Sequence, residues 1–398
     1  MSVSKGSKDY VIRVIDDPST IDAAAWNALL ERQSSATPFM RHEYLLAMHV
    51  SASASPRAGW TPQFLLAERE GSLVGACALY LKDHSYGEYV FDWAWADAYQ
   101  RHGLDYYPKL LSAVPFTPVP GSRLLALDAP ARIALLEAMT QLARGAGLSS
   151  VHLLFMDDDD RAAVQIIETT QTAGWMMRST VQFHWTNRSD APYADFAEYL
   201  STLQREKRKK IQQERRKVAE AGIVFTALQG DAITPQDWDF FYRCYTLTYR
   251  AHHSTPYLTR AFFEQMARTM PQHWLLFIAS RDGERIAASL IGIDVARGSA
   301  FGRYWGATEY VPCLHFDACY YQPLAWCIAN RMQRFEGGAQ GEHKMARGLM
   351  PVQTWSAHWL AHPQFARAVA DYLEREGAGI EQYIDELNER APFKASTA

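Results

Sequence analysis

FLLAEREGSLVGACA at residues 64–78 and LFIASRDGERIAASL at residues 276–290 are two versions of one pattern. In each, an apolar segment leads into a charged turn with a glycine, Gly71 or Gly283, and a second apolar segment follows. This pattern predicts a β-hairpin. The two turn glycines are 212 residues apart (283 − 71), and Ala67 and Ala279 are separated by the same offset. The sequence therefore predicts an internal duplication.

The segments around the two hairpins repeat as well. Two helix-like segments precede each hairpin and a third follows it. They lie at 22–30, 42–50 and 131–146 in the first copy and at 238–249, 259–270 and 320–335 in the second. Helix, helix, hairpin, strand, helix, strand is the element order of the GNAT acyltransferase fold. We therefore expect an α/β (α+β) fold of two tandem GNAT-like acyltransferase domains, each a mixed sheet flanked by helices.

The boundary between the two predicted domains lies in the polar segment 187–192, which is rich in Asn, Ser, Asp and Pro. A long helix-like segment, 193–221, follows and ends at Gly222. We therefore predict an N-terminal GNAT-like domain at 1–190 and a C-terminal one at 191–398 that begins with a basic helix.

Composition excludes several classes of protein. Of 398 residues, 48% are hydrophobic and 21% charged, which is typical of chains with large cores. The sequence offers no signal peptide and no apolar run of membrane-spanning length, so we expect a cytoplasmic protein. Its five cysteines have no metal-binding or disulfide-like spacing, so we expect reduced thiols and no metal. A net charge of −4 argues against non-specific coating of nucleic acid.

The first candidate site lies in residues 82–99, where aromatic rings alternate with acids and a histidine. Buried carboxylates cost free energy unless they are paired, so a pure core is an unlikely reason for this mixture. A substrate groove with aromatic walls explains it better, and the alternative is a sheet edge with its acids in water. The candidate substrate-binding residues here are His84, Tyr86, Glu88, Asp92, Trp93 and Asp97.

The second candidate site is the basic run REKRKKIQQERRK at 205–217. On a helix, Arg208 falls on the same side as Arg215, so part of the run can grip a phosphate. The alternative is a solvated helix face.

The third candidate site is the segment 335–351, where three glycines, at 337, 338 and 341, precede Glu342, His343 and Lys344. These three side chains supply a base, a titratable imidazole and a cation, and we predict them to be catalytic together with Asp317. Arg303, Tyr304 and His315, upstream, are predicted to bind substrate. The alternative is a loop that only connects a helix to a strand.

Three strings carry a family resemblance: HSYGEYVFDWAWAD at 84–97, AVPFTPV at 113–119 and GGAQGEHK at 337–344. They resemble the proteobacterial Fem-like family named for peptidoglycan biosynthesis or recognition, and the resemblance extends over about 38–373. Wider relatives, the Fem aminoacyl-transferases, have two GNAT-like domains and pass an amino acid from a charged tRNA to a cell-wall precursor. The resemblance implies that Lys207, Arg208 and Arg215 bind phosphate. The long helical arm of some of these enzymes is missing here.

The sequence thus predicts an N-acyltransferase of the Fem type that acts on an amine of a cell-wall precursor or related acceptor. The acyl donor is aminoacyl-tRNA or acyl-CoA, and no cofactor is expected to be tightly bound. Glu342, Asp317 or His343 takes the amine proton, while Lys344 and Arg303 stabilise negative charge. Two alternatives stay open. One is an acetyl-CoA-dependent GNAT N-acetyltransferase, and the other is a non-catalytic module that recognises peptidoglycan precursors.

Overall fold

The computed structural model describes residues 2–3, 10–339 and 341–394. Within these residues the chain divides into two compact units. The first comprises the described residues up to Thr180 together with Gln353–Gln382, and the second comprises Val181–Val352 and the described residues from Tyr383 onward. The domain boundary between residues 190 and 191 stays a prediction.

The first unit has two sheets. Its strands are β1 (Ser2–Val3), β2 (Val11–Ile15), β3 (Trp60–Pro62), β4 (Phe64–Arg69), β5 (Ser72–Cys77), β6 (Leu79–Lys82), β7 (Lys109–Ser112), β8 (Leu124–Ala126) and β9 (Ser150–Met156). Its helices include α1 (Ala23–Glu31), α2 (His42–Val50), α3 (Trp93–Arg101), α4 (Ala129–Gly145) and α5 (Asp158–Gln171). Residues 175–180 and 353–382 also belong to this unit, and they supply parts of two further strands and most of the last helix. One sheet has the order β1-β2-β4-β5-β8, and in the other β3, β6, β7 and β9 are successive neighbours.

The second unit is built around a mixed sheet. Its strands are β10 (Trp175–Thr186, in this unit from Val181), β11 (Ile223–Gln229), β12 (Trp274–Arg281), β13 (Glu284–Asp294), β14 (Ser299–Ala307), β15 (Arg334–Glu336) and β16 (Met350–Leu360, in this unit up to Val352). Its helices are α6 (Phe196–Thr202), α7 (Arg205–Glu220), α8 (Pro235–Ala251), α9 (Arg260–Thr269), α10 (Leu314–Phe316), α11 (Gln322–Ala329) and the end of α12 (Pro363–Glu389). Strands β11 to β15 are neighbours in chain order, and β10 follows β15.

Both predicted hairpins are confirmed, and they match in detail. Glu70 and Gly71 in the first turn, and Asp282 and Gly283 in the second, all have positive φ, as a tight two-residue hairpin turn requires. The register between the paired strands shifts after Ala67 in the β4–β5 pair and between Ala279 and Ser280 in the β12–β13 pair. The two hairpins therefore share an irregularity in the pairing of their strands, at equivalent positions.

The helix predicted over 193–221 is in fact two helices, α6 and α7. Leu203 lies between them with an extended backbone, and its side chain is fully buried. The backbone N–H of Gln204 donates to the carbonyl of Pro392, which is 2.8 Å away. Because the break precedes Arg205, Lys207 and Arg208 lie in the first turn of α7.

Helix α8 packs directly on strand β14. Its start is fixed by a capping box between Thr234 and Asp237, and Pro235 occupies the first turn. Close to its end, the hydroxyl of Thr248 donates to the carbonyl of Trp305 at 2.8 Å. A Cβ atom at Gly306 would lie only 2.0 Å from the carbonyl oxygen of Cys244, so this contact requires glycine.

Gly306→Ala is predicted to destabilise the second unit, because the added methyl group meets rigid helix backbone. We expect the free energy of unfolding to fall by about 1–3 kcal/mol or more. Gly377→Ala is the matched control, because a Cβ there meets no atom within 4 Å and the site lies inside helix α12. The control is expected to be neutral or to stabilise by up to about 1 kcal/mol. Denaturant unfolding followed by tryptophan fluorescence measures both, and equal effects would argue against the α8–β14 contact.

Candidate active site

Strands β14 and β15 separate after a short parallel contact. They pair only over Ser299–Phe301 and Arg334–Glu336. Beyond the last pair, a cavity of about 150 Å³ opens between them. Its lining includes Ser289, Ile291, Gly302, Arg303, Tyr304, Trp305, His315, Cys319, Tyr320, Phe335 and Gly337. Three residues predicted to bind substrate, Arg303, Tyr304 and His315, therefore meet in one place.

His315 is the titratable base of this cavity. Its ring packs against Trp305 and Tyr320, with centroids 5.4 and 5.8 Å away. His315 is exposed at the edge of the cavity, but desolvation of its ring by these neighbours lowers its pKa to about 4, and His343, Arg347 and Lys344 add to the effect. The imidazole is therefore neutral at physiological pH and can accept a proton.

Arg303 and Tyr304 place hydrogen-bond donors in the same cavity. A guanidinium nitrogen of Arg303 donates to the hydroxyl of Tyr304 at 2.9 Å. Burial raises the pKa of Tyr304, so its hydroxyl stays protonated. A guanidinium and a phenol side by side are suited to a developing oxyanion.

Lys344 supports the loop that follows β15. Its ammonium group donates to the carbonyls of Gly337, Gly338 and Ala339 at 2.7, 3.2 and 2.8 Å. Burial lowers its pKa to about 8. Gly337 is required by packing, because a Cβ there would lie 2.4 Å from Leu349 Cδ2.

The other predicted catalytic residues lie around the cavity. His343 is exposed and hydrogen-bonds through Nε2 to the hydroxyl of Tyr320 at 3.3 Å, while Glu342 accepts a bond from Tyr383 at 3.2 Å. Of the described residues, those that line the cavity include none of Glu342, His343, Lys344 and Asp317.

Asp317 belongs to a second cavity, of about 730 Å³, beside α7. It lies in a π-helical turn, Asp317–Tyr321, and accepts a hydrogen bond from Gln322 at 3.0 Å. Arg215 is 3.9 Å away and lines the same cavity. Burial raises the pKa of Asp317 despite the opposing charge of Arg215.

Helix α7 is fixed to the unit by Glu214. Its buried carboxylate pairs with Arg347 at 2.9 Å and accepts a hydrogen bond from the hydroxyl of Tyr321. Of the three predicted phosphate ligands, Arg215 lines the 730 Å³ cavity, whereas Lys207 and Arg208 are half-buried in the first turn. Neither of these two forms an ion pair with another described residue.

In the first unit, Glu88 and Asp92 are bound to a buried lysine. The ammonium group of Lys109, fully buried, donates to Ser85 and Glu88 at 2.8 Å each and also to Asp92. Burial raises the pKa of Glu88 to about 7. Burial also acts to raise the pKa of Asp92, but the charge of Lys109 together with His152 and the hydrogen bonds from Lys109 and Ser85 outweighs it, so that pKa lies below its usual range. The hydroxyl of Tyr106 donates to Asp92 at 2.6 Å.

The remaining predicted residues of this segment face outward. The rings of His84, Tyr86 and Trp93 follow one another with centroids 5.3 and 4.9 Å apart. Tyr86 is 58% exposed and Trp93 39%. Asp97 is exposed and pairs with Arg101 at 2.7 Å. The segment thus separates into two buried acids that anchor it and an exposed aromatic surface.

The model of the FemAB-like family, described as peptidoglycan biosynthesis/recognition, matches residues 17–395 of this chain. The chain belongs to the FemAB-like family. No functionally curated protein matches its sequence significantly. In the described part of this FemAB-like chain, no helix is long and apolar enough to cross a membrane, and no three His, Cys, Asp or Glu side chains cluster as metal ligands.

Solved structures share the fold of this FemAB-like chain at low sequence identity. L-PGS from Bacillus licheniformis is 9% identical, with a TM-score of 0.54, and the match covers 91% of this chain and 99% of that one. FemX is 9% identical, with a TM-score of 0.53, and the match covers 88% and 98% of the two chains. The predicted fold class, two tandem GNAT-like domains of mixed sheets flanked by helices, is confirmed.

Sequence reasoning missed Lys109 as the buried partner of Glu88 and Asp92 in this FemAB-like chain. A signal for it existed, because two acids in an aromatic segment need a cation if they are buried. It missed His152 and His358 as well, which hydrogen-bond to each other at 2.7 Å next to Tyr106. No local pattern marks these two, because they are 206 residues apart.

The raised pKa of Glu88 predicts a specific pH dependence of stability. Between pH 4.5 and 7 the folded protein keeps the Glu88 proton that the unfolded chain loses, so stability from this group falls as the pH rises. We compare the free energy of unfolding of the wild type with that of Glu88→Gln. The wild-type value minus the variant value is expected to fall by on the order of 2 kcal/mol between pH 4.5 and pH 7.

Denaturant unfolding at several pH values measures this difference. Asp97→Asn is the control, because Asp97 is exposed, and its difference from the wild type should stay nearly constant. A constant difference for Glu88→Gln as well would contradict the buried arrangement.

Proposed function

We propose that this FemAB-like protein transfers an acyl or aminoacyl group to an amine of a cell-wall precursor or related acceptor, at the cavity between β14 and β15. Membership of the family supports a peptidoglycan-related acyl or aminoacyl transferase in general. The observation that carries the specific proposal is the meeting of a neutral imidazole, a guanidinium and a phenol in one cavity.

In the proposed reaction, the acceptor amine attacks the carbonyl carbon of the donor. A C–N bond forms, the bond from that carbon to the leaving group breaks, and the amine proton passes to His315. Arg303 and Tyr304 stabilise the oxyanion of the tetrahedral intermediate. Here His315 acts as the base in place of Asp317, Glu342 or His343, because it lines the cavity.

Lys344 has a positioning role in this proposal. Its ammonium is engaged by three carbonyls of the loop after β15, so it holds one wall of the cavity and adds positive charge near His315. Its lowered pKa of about 8 keeps it mostly charged at pH 7.

The corresponding place in the first unit supports assigning the reaction to the second. There, β7 and β9 pair in parallel only over Leu110–Ser112 and Val151–Leu153. The carbonyl of Leu154, the next residue, accepts a hydrogen bond from Arg123 at 2.9 Å, and the same guanidinium donates to Gly121 and Val119. Arg123 is 1% exposed, so in the first unit a buried guanidinium that is engaged by backbone carbonyls lies beside the end of β9.

The exposed aromatic surface of the first unit is proposed to bind substrate. His84, Tyr86 and Trp93 offer ring faces, and Asp97 offers a carboxylate near them in sequence. Contiguous exposed apolar patches on a protein surface often mark binding sites. Glu88 and Asp92 keep the segment in place through Lys109.

For the donor, the structure favours aminoacyl-tRNA over acyl-CoA. CoA enzymes of this fold bind pyrophosphate with a glycine-rich turn at a helix N-terminus. Here residues 308–313, between β14 and α10, contain Pro312 and no glycine. Phosphate groups of the substrates are assigned to Arg215, with Lys207 and Arg208 at the N-terminal turn of α7, where the helix dipole also attracts anions.

His315→Asn is predicted to lower kcat by about 10²–10⁴-fold, because the cavity loses its proton acceptor. KM should change little. The assay is transfer of a radiolabelled amino acid from charged tRNA to a UDP-linked muropeptide. His253→Asn, at an exposed histidine after α8, is the matched control and should retain wild-type kcat. Equal rates for both variants would contradict the assignment of His315, and transfer from acetyl-CoA alone would contradict the donor.

A further inference from the structure

A larger cavity adjoins the proposed reaction cavity in the second unit. Its volume is about 590 Å³, within the usual range of small-molecule sites. The end of α8, the end of β14 and the segment that leads into α10 form its walls. Of the described residues that line it, none was predicted to be catalytic, and only His315 was predicted to bind substrate.

The lining of this cavity is mainly apolar, and its polar members besides one acid include Thr248, Thr308, Tyr310, His252 and His315. Leu247, Ala251, Val311, Leu314 and Phe316 contribute to its walls. Its acid, Glu309, is neutralised by Arg281 at 2.5 Å. Among the described residues that line it there is no lysine or arginine. Such a lining does not compensate a phosphate or a carboxylate, but it stabilises a hydrocarbon or an aromatic ring.

Two residues connect the two cavities. Trp305 and His315 line both, and their rings are in contact. A cavity of about 150 Å³ has room for a carbonyl group and an attacking amine, but not for a bulky substituent as well. When a carbonyl group is held beside His315, the larger cavity is therefore the space available to the substituent on that carbonyl.

The walls of the larger cavity are held in place without a ligand. Thr248 is hydrogen-bonded to the backbone of Trp305, and Gly306 permits direct contact between α8 and β14. Cys313, at the start of α10, keeps a positive φ of 68°, which an L-residue adopts only when its surroundings impose it. A site that is already shaped loses less entropy when it binds.

We infer that this cavity binds the apolar side chain of the transferred group, so that the donor carries a bulky aromatic or branched aliphatic acyl or aminoacyl group. The inference rests on the proposed function, and it names the class of donor. An acetyl or glycyl group would leave the cavity empty. A charged side chain would lose its hydration without gaining a partner.

The first test is direct binding of N-acetyl-phenylalaninamide, N-acetyl-leucinamide and N-acetyl-glycinamide, measured by ligand-observed NMR titration. The full-length wild type is expected to bind the phenylalanine and leucine amides at least about tenfold more tightly than the glycine amide. Ala307→Phe and Ala251→Phe, which fill the cavity from β14 and α8, should reduce this preference to within about twofold. The second variant guards against misfolding of the first.

Ala296→Phe is the matched control, because Ala296 is exposed in the turn between β13 and β14. It should keep the wild-type preference. No preference in the wild type, or an equal loss of preference in Ala296→Phe, would overturn the inference.

A transfer assay with charged tRNAs separates this inference from the proposed function. A preference for phenylalanyl or leucyl over glycyl donors that disappears in Ala307→Phe supports both. Transfer with no side-chain preference overturns the inference and leaves the proposed function. Selective binding of the amides without transfer from any donor overturns the proposed function.

Discussion

Strands β14 and β15 pair in parallel over only three residue pairs. The candidate site exists because this pairing ends and the strands separate. Two strands that separate inside a protein leave backbone carbonyls without ladder partners, and buried carbonyls need hydrogen bonds. In the second unit Lys344 supplies them from a neighbouring turn, by donating to three successive carbonyls after β15. The gap between the strands can therefore stay open.

The first unit meets the same requirement in a different way. Arg123 lies beside the end of β9 and donates to the carbonyls of Leu154, Gly121 and Val119. Its own backbone N–H is held by Asp160, which also pairs with Arg132. The two units therefore use cations from different places: the segment that leads into β8 in the first unit, and the turn after β15 in the second.

The sequence predicted architecture well because the relevant signals are local and repeated. Each hairpin is encoded within 15 residues, and the offset of 212 residues made the two copies comparable. The continuous helix expected over 193–221 was wrong because burial of Leu203 and its neighbour's bond to Pro392 depend on a distant part of the chain. The candidate site was predictable as a set of residue types, and Arg303, Tyr304 and His315 do meet. The carbonyl partners of Arg123 and Lys344 could not be predicted. No sequence pattern around either residue distinguishes a structural role from a chemical one.

The positive charges near His315 affect the proposed reaction in two opposite ways. Desolvation of the ring and these charges lower its pKa to about 4, so the imidazole is neutral at physiological pH but is a weak base. A weak base deprotonates an amine efficiently only after attack on the carbonyl, when the nitrogen has become a strongly acidic ammonium centre. In the proposed reaction, Arg303 and Tyr304 stabilise the oxyanion formed in that step, in a cavity that these charges keep positive. A stronger base would require a less positive cavity, and such a cavity would stabilise the intermediate less. The arrangement therefore favours proton transfer after C–N bond formation, with His315 as the acceptor at that stage.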